Sequence, residues 1–282
     1  MIEENGEYTY LVGWAHPALL FLFRHGTVNL FLDCTFSCVP HPFNQCMVVM
    51  VYSPAYRMYI PVFHVLMQSS TQFNYWNALH QVIIAASWEV TVSTVTCDFE
   101  LPLIKAVKDH FVDVEHPSEL IGCLFHWLQA IRRKLKALGM EDAEVSMVLQ
   151  QVKLLTVMPE DEVISKGIPY LRQRIEGPER RPIYDEFWNS YFIPTWTVRY
   201  SLRTWNVYRF YENTALREVL VNLTNNALEH YNGVLNNSFS GHPTMVAFVT
   251  KIRELQMATA QTLVELQAGT RTYPQRNPPN VP

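Results

Sequence analysis

The residues best placed to do chemistry in this sequence are carboxylates at the ends of apolar runs. Val28-Asn29-Leu30-Phe31-Leu32-Asp33-Cys34-Thr35-Phe36 is β-prone and holds a single acid before turning into Ser37-Cys38-Val39-Pro40. An ionised carboxylate at the end of a buried strand is costly unless it is paired or holds a cation. A second run has the same form: Val90 to Cys97 is rich in Val and Thr and leads into Asp98-Phe99-Glu100. Two strands that each deliver an acid at their tip suggest one shared site, to which the rest of the chain brings a third acid. Such a set suits phosphodiester chemistry. In-line displacement builds charge on the entering, leaving and nonbridging oxygens, and two hard cations about 3.5–4 Å apart stabilise both ends of it. Mg²⁺ takes a few carboxylates and keeps several waters, so three acids suffice. Without cations the clustered acids would repel one another.

The elements that must position these acids follow from the pattern of the chain. Residues 1–27 read as a mixed lead-in with a short helix at Pro17 to Phe23. After the Asp33 strand, Pro40-His41-Pro42 makes a rigid connection, and Gln45 to Ser53 is a second strand. Ser53-Pro54-Ala55-Tyr56 turns the chain and Arg57 to Met67 returns, which predicts an antiparallel meander. Phe73, Trp76, Leu79, His80, Ile83 and Ile84 recur at helical spacing, so an amphipathic helix should end near Ser87. The strand carrying Asp98 comes next, then a helix over Leu101 to Phe111, a fifth strand over Ser118 to Phe125, and a basic helix from Trp127 to Leu138 closed by Gly139. This order is expected of a ribonuclease H-like α/β fold, a mixed sheet with three antiparallel strands plus two parallel ones, whose first part spans residues 28–140. From Glu141 to Leu216 the pattern is helical without strands, broken at Pro159, Gly167, Pro169, Gly177-Pro178 and Pro182. It reads as a large all-helical insertion before the last catalytic helix. Helices over Leu216 to Asn237 and Pro243 to Gln267 complete the core within residues 217–267, and residues 268–282 read as a disordered Pro-rich tail.

Composition limits the classes of function. With 282 residues, 49% hydrophobic and 17% charged, the chain can bury a substantial core. A formal net charge of −4 gives no global attraction to nucleic acid, so DNA contact has to come from local basic patches. Cys34, Cys38, Cys46, Cys97 and Cys123 are an odd set inside apolar runs, which reads as reduced intracellular thiols. The run Ala18 to Phe23 is far below the roughly 20 residues of a membrane span, and neither end reads as a signal peptide.

At several blocks the residues resemble the Mutator-like element transposases. These are Leu32-Asp33-Cys34-Thr35-Phe36 with Phe43 to Gln45, then Asp98-Phe99-Glu100, then Gly122-Cys123-Leu124-Phe125-His126-Trp127-Leu128-Gln129-Ala130, and Thr224-Asn225-Asn226 with Glu229 and Asn232. The blocks span Asn29 to Gln267 in the family's order. The resemblance implies a catalytic triad of Asp33, Asp98 and Glu229, which would also be the metal ligands on a ribonuclease H-like fold. Taken singly, each acid has an ordinary structural reading: Asp33 in an Asx turn, Asp98 as a helix cap and Glu229 as a solvated helix residue. Glu100 reads as a neighbour and not a ligand.

Cys123 and His126 form a Cys-x-x-His pair that the family shares. Structural zinc usually takes four ligands, and no second pair sits nearby, so the pair reads as active-site support. Candidate DNA-binding residues are Arg132, Arg133, Lys134 and Lys136, then Arg172, Arg174, Arg180 and Arg181. Trp188, Trp196 and Trp205, interleaved with Arg199, Arg203 and Arg209, could stack on single-stranded DNA but read more naturally as the core of a helical subdomain. Leu223 stands where the family pattern often has Arg.

The resemblance therefore implies a DNA transposase catalytic domain of the DDE type, cutting element ends and joining them to target DNA with Mg²⁺, or Mn²⁺ in its place. It further implies a homodimer or higher oligomer on DNA, nuclear localisation and no membrane partner. Residues before Asn29 hold no Cys and only His16 and His25, so recognition of element ends is expected to rest with a separate or missing zinc DNA-binding module. The alternative is a domesticated derivative that binds DNA or regulates transcription without cutting.

Overall fold

Six strands of the computed structural model form one mixed sheet, and the run that can be buried on both faces lies inside it. The structure describes residues 2–4, 6–24, 26–87, 90–112, 118–176, 181–219 and 223–273. Gly177-Pro178, Arg180 and the tail from Pro274 therefore lie outside the described residues. In chain order the strands are β1 (Ile2–Glu4), β2 (Glu7–Thr9), β3 (Leu11–Ala15), β4 (Val28–Thr35), β5 (Gln45–Ser53), β6 (Met58–Met67), β7 (Val92–Cys97) and β8 (Glu119–Gly122). β1 and β2 pair as a separate hairpin, and the large sheet has the order β3-β6-β5-β4-β7-β8. All nine positions of β5 are buried, as a Val- and Met-rich interior strand should be. β4, β5, β6 and β3 pair antiparallel, while β4 and β7 are parallel.

The lead-in is more than a lead-in, because β3 adds a sixth strand to the five expected. It covers the free edge of β6, and Gly13 permits the approach: a Cβ there would come within 2.6 Å of Phe63 Cε1. The short helix α1 (Pro17–Leu20) continues as a 3₁₀ turn over Phe21–Phe23. α2 (Gln72–Ala85) is capped by Thr71, whose Oγ1 accepts from Asn74 N at 3.2 Å. α3 (Leu101–Phe111) follows β7.

Two compact units divide the chain, one built from residues up to Leu120 and again from Thr224, the other from Ile121–Leu223. The helical unit thus begins earlier than an insertion at residues 141–216. The reason lies in α4 (Leu124–Ala137), whose buried Trp127 stacks on Trp205 with centroids 5.1 Å apart and meets Trp196 and Phe192 edge-on. The fifth predicted strand is correspondingly shorter, since Cys123 already accepts a helical hydrogen bond from Trp127 N at 3.0 Å. Beyond α4 the described elements of this unit are all helical: α5 (Asp142–Val152), α6 (Glu160–Glu162), α7 (Ile168–Glu176), α8 (Pro182–Asp185), α9 (Leu202–Trp205), α10 (Arg209–Glu212) and α11 (Thr214–Val219), with π-helical segments at Val163–Gly167, Glu186–Phe192 and Pro194–Arg199.

In the first unit α12 (Asn226–Asn237) and α13 (Met245–Gln267) close one face of the sheet. The single helix expected over Leu216 to Asn237 is two, α11 and α12, with Asn225 held at the second start by a side-chain bond to the sheet. Pro243 lies outside α13, which Thr244 caps through Ala247 N. Among the described residues no helix is long and apolar enough to cross a membrane.

Candidate active site

Side chains alternate across a strand, so Asn29, Phe31, Asp33 and Thr35 of β4 share the face that α12 covers, and Leu30, Leu32 and Cys34 share the other. Asp33 is not at the strand's tip: β4 runs on through Thr35 and the acid is 6% exposed. Asn232 of α12 donates Nδ2–H to Asp33 Oδ2 at 2.8 Å, which offsets part of the cost of burying the carboxylate. Thr94 of β7 lies on the same face, donating Oγ1–H to Asn29 Oδ1 at 2.6 Å. Asp98 follows β7 by one residue, and its Oδ1 accepts from Phe99 N. Asp33 and Asp98 offer carboxylate oxygens within 4.8 Å of each other. The two acids of the two strands thus meet.

The third acid arrives on α12. Asn225, Glu229, Asn232 and Asn236 recur at intervals of four, three and four, which sets them on one face of the helix. Asn225 donates Nδ2–H to Leu32 O at 3.0 Å, and Asn236 Oδ1 accepts from Thr35 Oγ1 at 2.7 Å. Glu229 sits between these anchors, partly buried, with its Oε1 enclosed. It is not within 4.8 Å of both aspartates. The structure brings together Asp33 and Asp98 and places Glu229 on the helix face that meets Asp33.

On the opposite face of the sheet, Tyr75 of α2 donates its hydroxyl to Glu100 Oε2 at 2.5 Å and lies 3.7 Å from Cys34 Sγ. Burial, then the Asp33 carboxylate, push the Cys34 thiol well up, with the Glu100 carboxylate adding to the rise; the bond to Tyr75 opposes it. Burial also raises the Tyr75 phenol. Glu100 occupies the cap position of α3 without a side-chain cap bond, so its carboxylate is turned to Tyr75 and not to the helix.

The remaining candidates belong to the helical unit. Cys123 is buried at the start of α4 and His126 is partly buried in its first turn. Lys134 pairs with Glu186 at 3.1 Å and Lys136 with Asp142 at 3.2 Å, while Arg132 and Arg133 are exposed. Arg172 is spent inside its own unit, donating to Glu176, Asn189 and Asp185 at 2.7–2.9 Å. Arg174 donates to Tyr170 Oη at 3.1 Å and Arg181 pairs with Glu144. Trp188, Trp196 and Trp205 are buried: these rings are a core and not a stacking platform.

The sequence reading missed Asn236, Tyr75 and His64 as supports. Of these, Asn236 had a visible signal, as the fourth polar residue on a helical face that has to pack. Comparison with known proteins leaves the geometry to speak alone: no protein-family model matches the chain, and no curated protein matches it.

Proposed function

We propose that the first unit carries a metal-dependent site for cutting and joining DNA strands, of the DDE type, in a ribonuclease H-like domain of a Mutator-like transposase acting on nuclear DNA. The observation that supports this most is the approach of the Asp33 and Asp98 carboxylates to within 4.8 Å, one on β4 and the other directly after the parallel β7. A mixed sheet of this strand order is compatible with such a domain.

The donors fit the expected cation. Two carboxylates, with a third on the facing helix, offer hard oxygen donors of the kind that Mg²⁺ or Mn²⁺ takes. Asp33 and Asp98 would hold it from the sheet and Glu229 from α12. When bound, the cation supplies charge stabilisation for the oxygens of an in-line displacement at phosphorus. In cleavage a water oxygen bonds to phosphorus, the bond to the 3′ oxygen breaks and a free 3′ hydroxyl is left. In joining, that hydroxyl attacks a target phosphodiester, whose own 3′ oxygen leaves. The chain's part is positional: β4 and β7 fix two acids relative to one another, and α12 covers them on one side of the sheet. Exposed Arg132 and Arg133 are the candidates for phosphate contact, and binding across two element ends calls for an oligomer.

A second reading, a derivative that binds DNA or a partner protein without cutting, is favoured by the pairing of Lys134, Lys136 and Arg172 with acids of the same unit, which engages three of the candidate phosphate ligands within the chain. Nicking of supercoiled plasmid by the full chain separates the two. The enzyme reading predicts Mg²⁺-dependent nicks with 3′ hydroxyl ends, lost in Asp33→Asn and Asp98→Asn. DNA binding by folded protein with no nicking in Mg²⁺ or Mn²⁺ would overturn it in favour of the second.

A further inference from the structure

Asn232 is 5% exposed and touches Asp33 directly. A carboxylate only accepts hydrogen bonds, so the amide must turn Nδ2 to Asp33, and this leaves Oδ1 pointing elsewhere. That oxygen is buried and has no hydrogen-bond partner among the described residues. Buried acceptors in this state are rare and call for a water or an ion. A second buried oxygen lies on the same side of the sheet. Thr96 Oγ1 on β7 also has no partner among the described residues, and Thr96 is in register with Phe31, two residues before Asp33 on the shared face. It also precedes Asp98 by two positions in the chain. Both oxygens are neutral, so neither adds to the repulsion between the acids.

We propose that Asn232 is a positioning residue of the cation site: Nδ2 fixes the Asp33 carboxylate, and Oδ1 accepts a hydrogen bond from a water bound to the divalent cation. This rests on the reading of Asp33 and Asp98 as cation ligands. It accounts for an amide where an apolar side chain would pack as well: Mg²⁺ and Mn²⁺ keep several of their waters, and those waters need acceptors. Outer partners of this kind typically change metal affinity 10–100-fold when removed.

Calorimetric titration of the full chain with Mn²⁺ tests this, using Asn232→Ala, Asn232→Asp and Asp33→Asn beside the wild type. Asn232→Ala is expected to keep its circular dichroism and bind Mn²⁺ at least tenfold more weakly. Asn232→Asp sets a second carboxylate against Asp33, so its melting temperature without metal should fall at neutral pH and be raised by Mn²⁺ more than that of the wild type. A folded Asn232→Ala variant with wild-type Mn²⁺ affinity overturns the inference. If Asn232→Ala does not fold, Asn232→Asp decides: a melting temperature that Mn²⁺ raises no more than in wild type overturns it equally. Loss of binding in Asp33→Asn with no change in the Asn232 variants would reject Asn232 alone, whereas wild-type binding by Asp33→Asn would reject the cation site itself.

Discussion

Asp33 and His64 stand in one cross-strand row, both opposite Val48 of β5, and consecutive residues of α12 reach them. Tyr231 Oη lies 2.8 Å from His64 Nε2, and Asn232 Nδ2 lies 2.8 Å from Asp33 Oδ2. His64 also receives Gln256 Nε2 of α13 on Nδ1 at 3.2 Å. Because Gln256 donates to Nδ1, the ring proton sits on Nε2 and is donated to Tyr231. A neutral imidazole two strands from Asp33 thus pins the helix that carries Glu229.

Burial lowers the His64 pKa to about 3, so the native ring is neutral where the unfolded one, titrating near 6.5, is charged. The unfolded chain therefore binds more protons between about pH 6.5 and about pH 3, and stability must fall as pH drops through that window. Urea unfolding at pH 7, 6, 5 and 4 should show this slope in the wild type and a shallower one, by about one proton, in His64→Gln. Equal slopes would show that His64 does not titrate as its burial requires.

Thr35 and Asn236 are 201 positions apart and share a 2.7 Å hydrogen bond. Thr35→Val removes the donor while keeping the shape, and should cost about 1 kcal/mol, the usual net worth of such a bond. Asn225→Ala, at a fully buried residue bonded to Leu32 O, should cost about 1–3 kcal/mol. Amide exchange in α12 should speed up in both variants while β5 stays protected. Unchanged exchange would mean that the helix is held by its apolar face alone.

In the helical unit, Gly167 closes a π-helical segment against Met158 and Leu155, and a Cβ there would meet Met158 Sδ at 2.4 Å and Leu155 Cδ2 at 2.8 Å. Gly167→Ala should destabilise by about 1–3 kcal/mol through overpacking, measured as a lower urea midpoint. A neutral or stabilising effect would show that the Met158 side chain gives way freely.

Arg172 has the residue type of a phosphate ligand but the partners of a strut, and Glu176 beside it is mostly buried. Arg172→Ala should therefore lower stability by about 1–3 kcal/mol and leave the salt dependence of DNA binding unchanged. Arg132→Ala and Arg133→Ala should do the reverse, each reducing the salt slope by about one. Fluorescence anisotropy at several salt concentrations distinguishes the two patterns.

Much of the scaffold was legible because burial leaves a period in the chain. Alternation and apolar runs marked β4, β5, β6 and β7 within a few residues, and spacing of three and four marked α2 and α3. β3 escaped because its five residues include Gly13 and Trp14 in a short run with no clean alternation; it becomes a strand only by pairing with β6. The joint of Asp33 and Asp98 was legible because one acid interrupts a β-prone apolar run and the other directly follows a second such run. The bond from Asn232 to Asp33 was not, since contacts across 199 positions leave no local periodicity. The internal partners of Arg172 were not legible either: a charged residue on a helix gives the same signal whether its partner is DNA or the next helix.

The most direct measurement is anomalous scattering from crystals of the full chain soaked in Mn²⁺, recorded for the wild type and for Asp33→Asn. The cation site predicts a peak within coordination distance of Asp33 and Asp98, about 2–2.5 Å for hard cations with oxygen ligands, and its absence from the variant. No peak between the two carboxylates of well-ordered wild-type crystals, or an equal peak in Asp33→Asn, would contradict it.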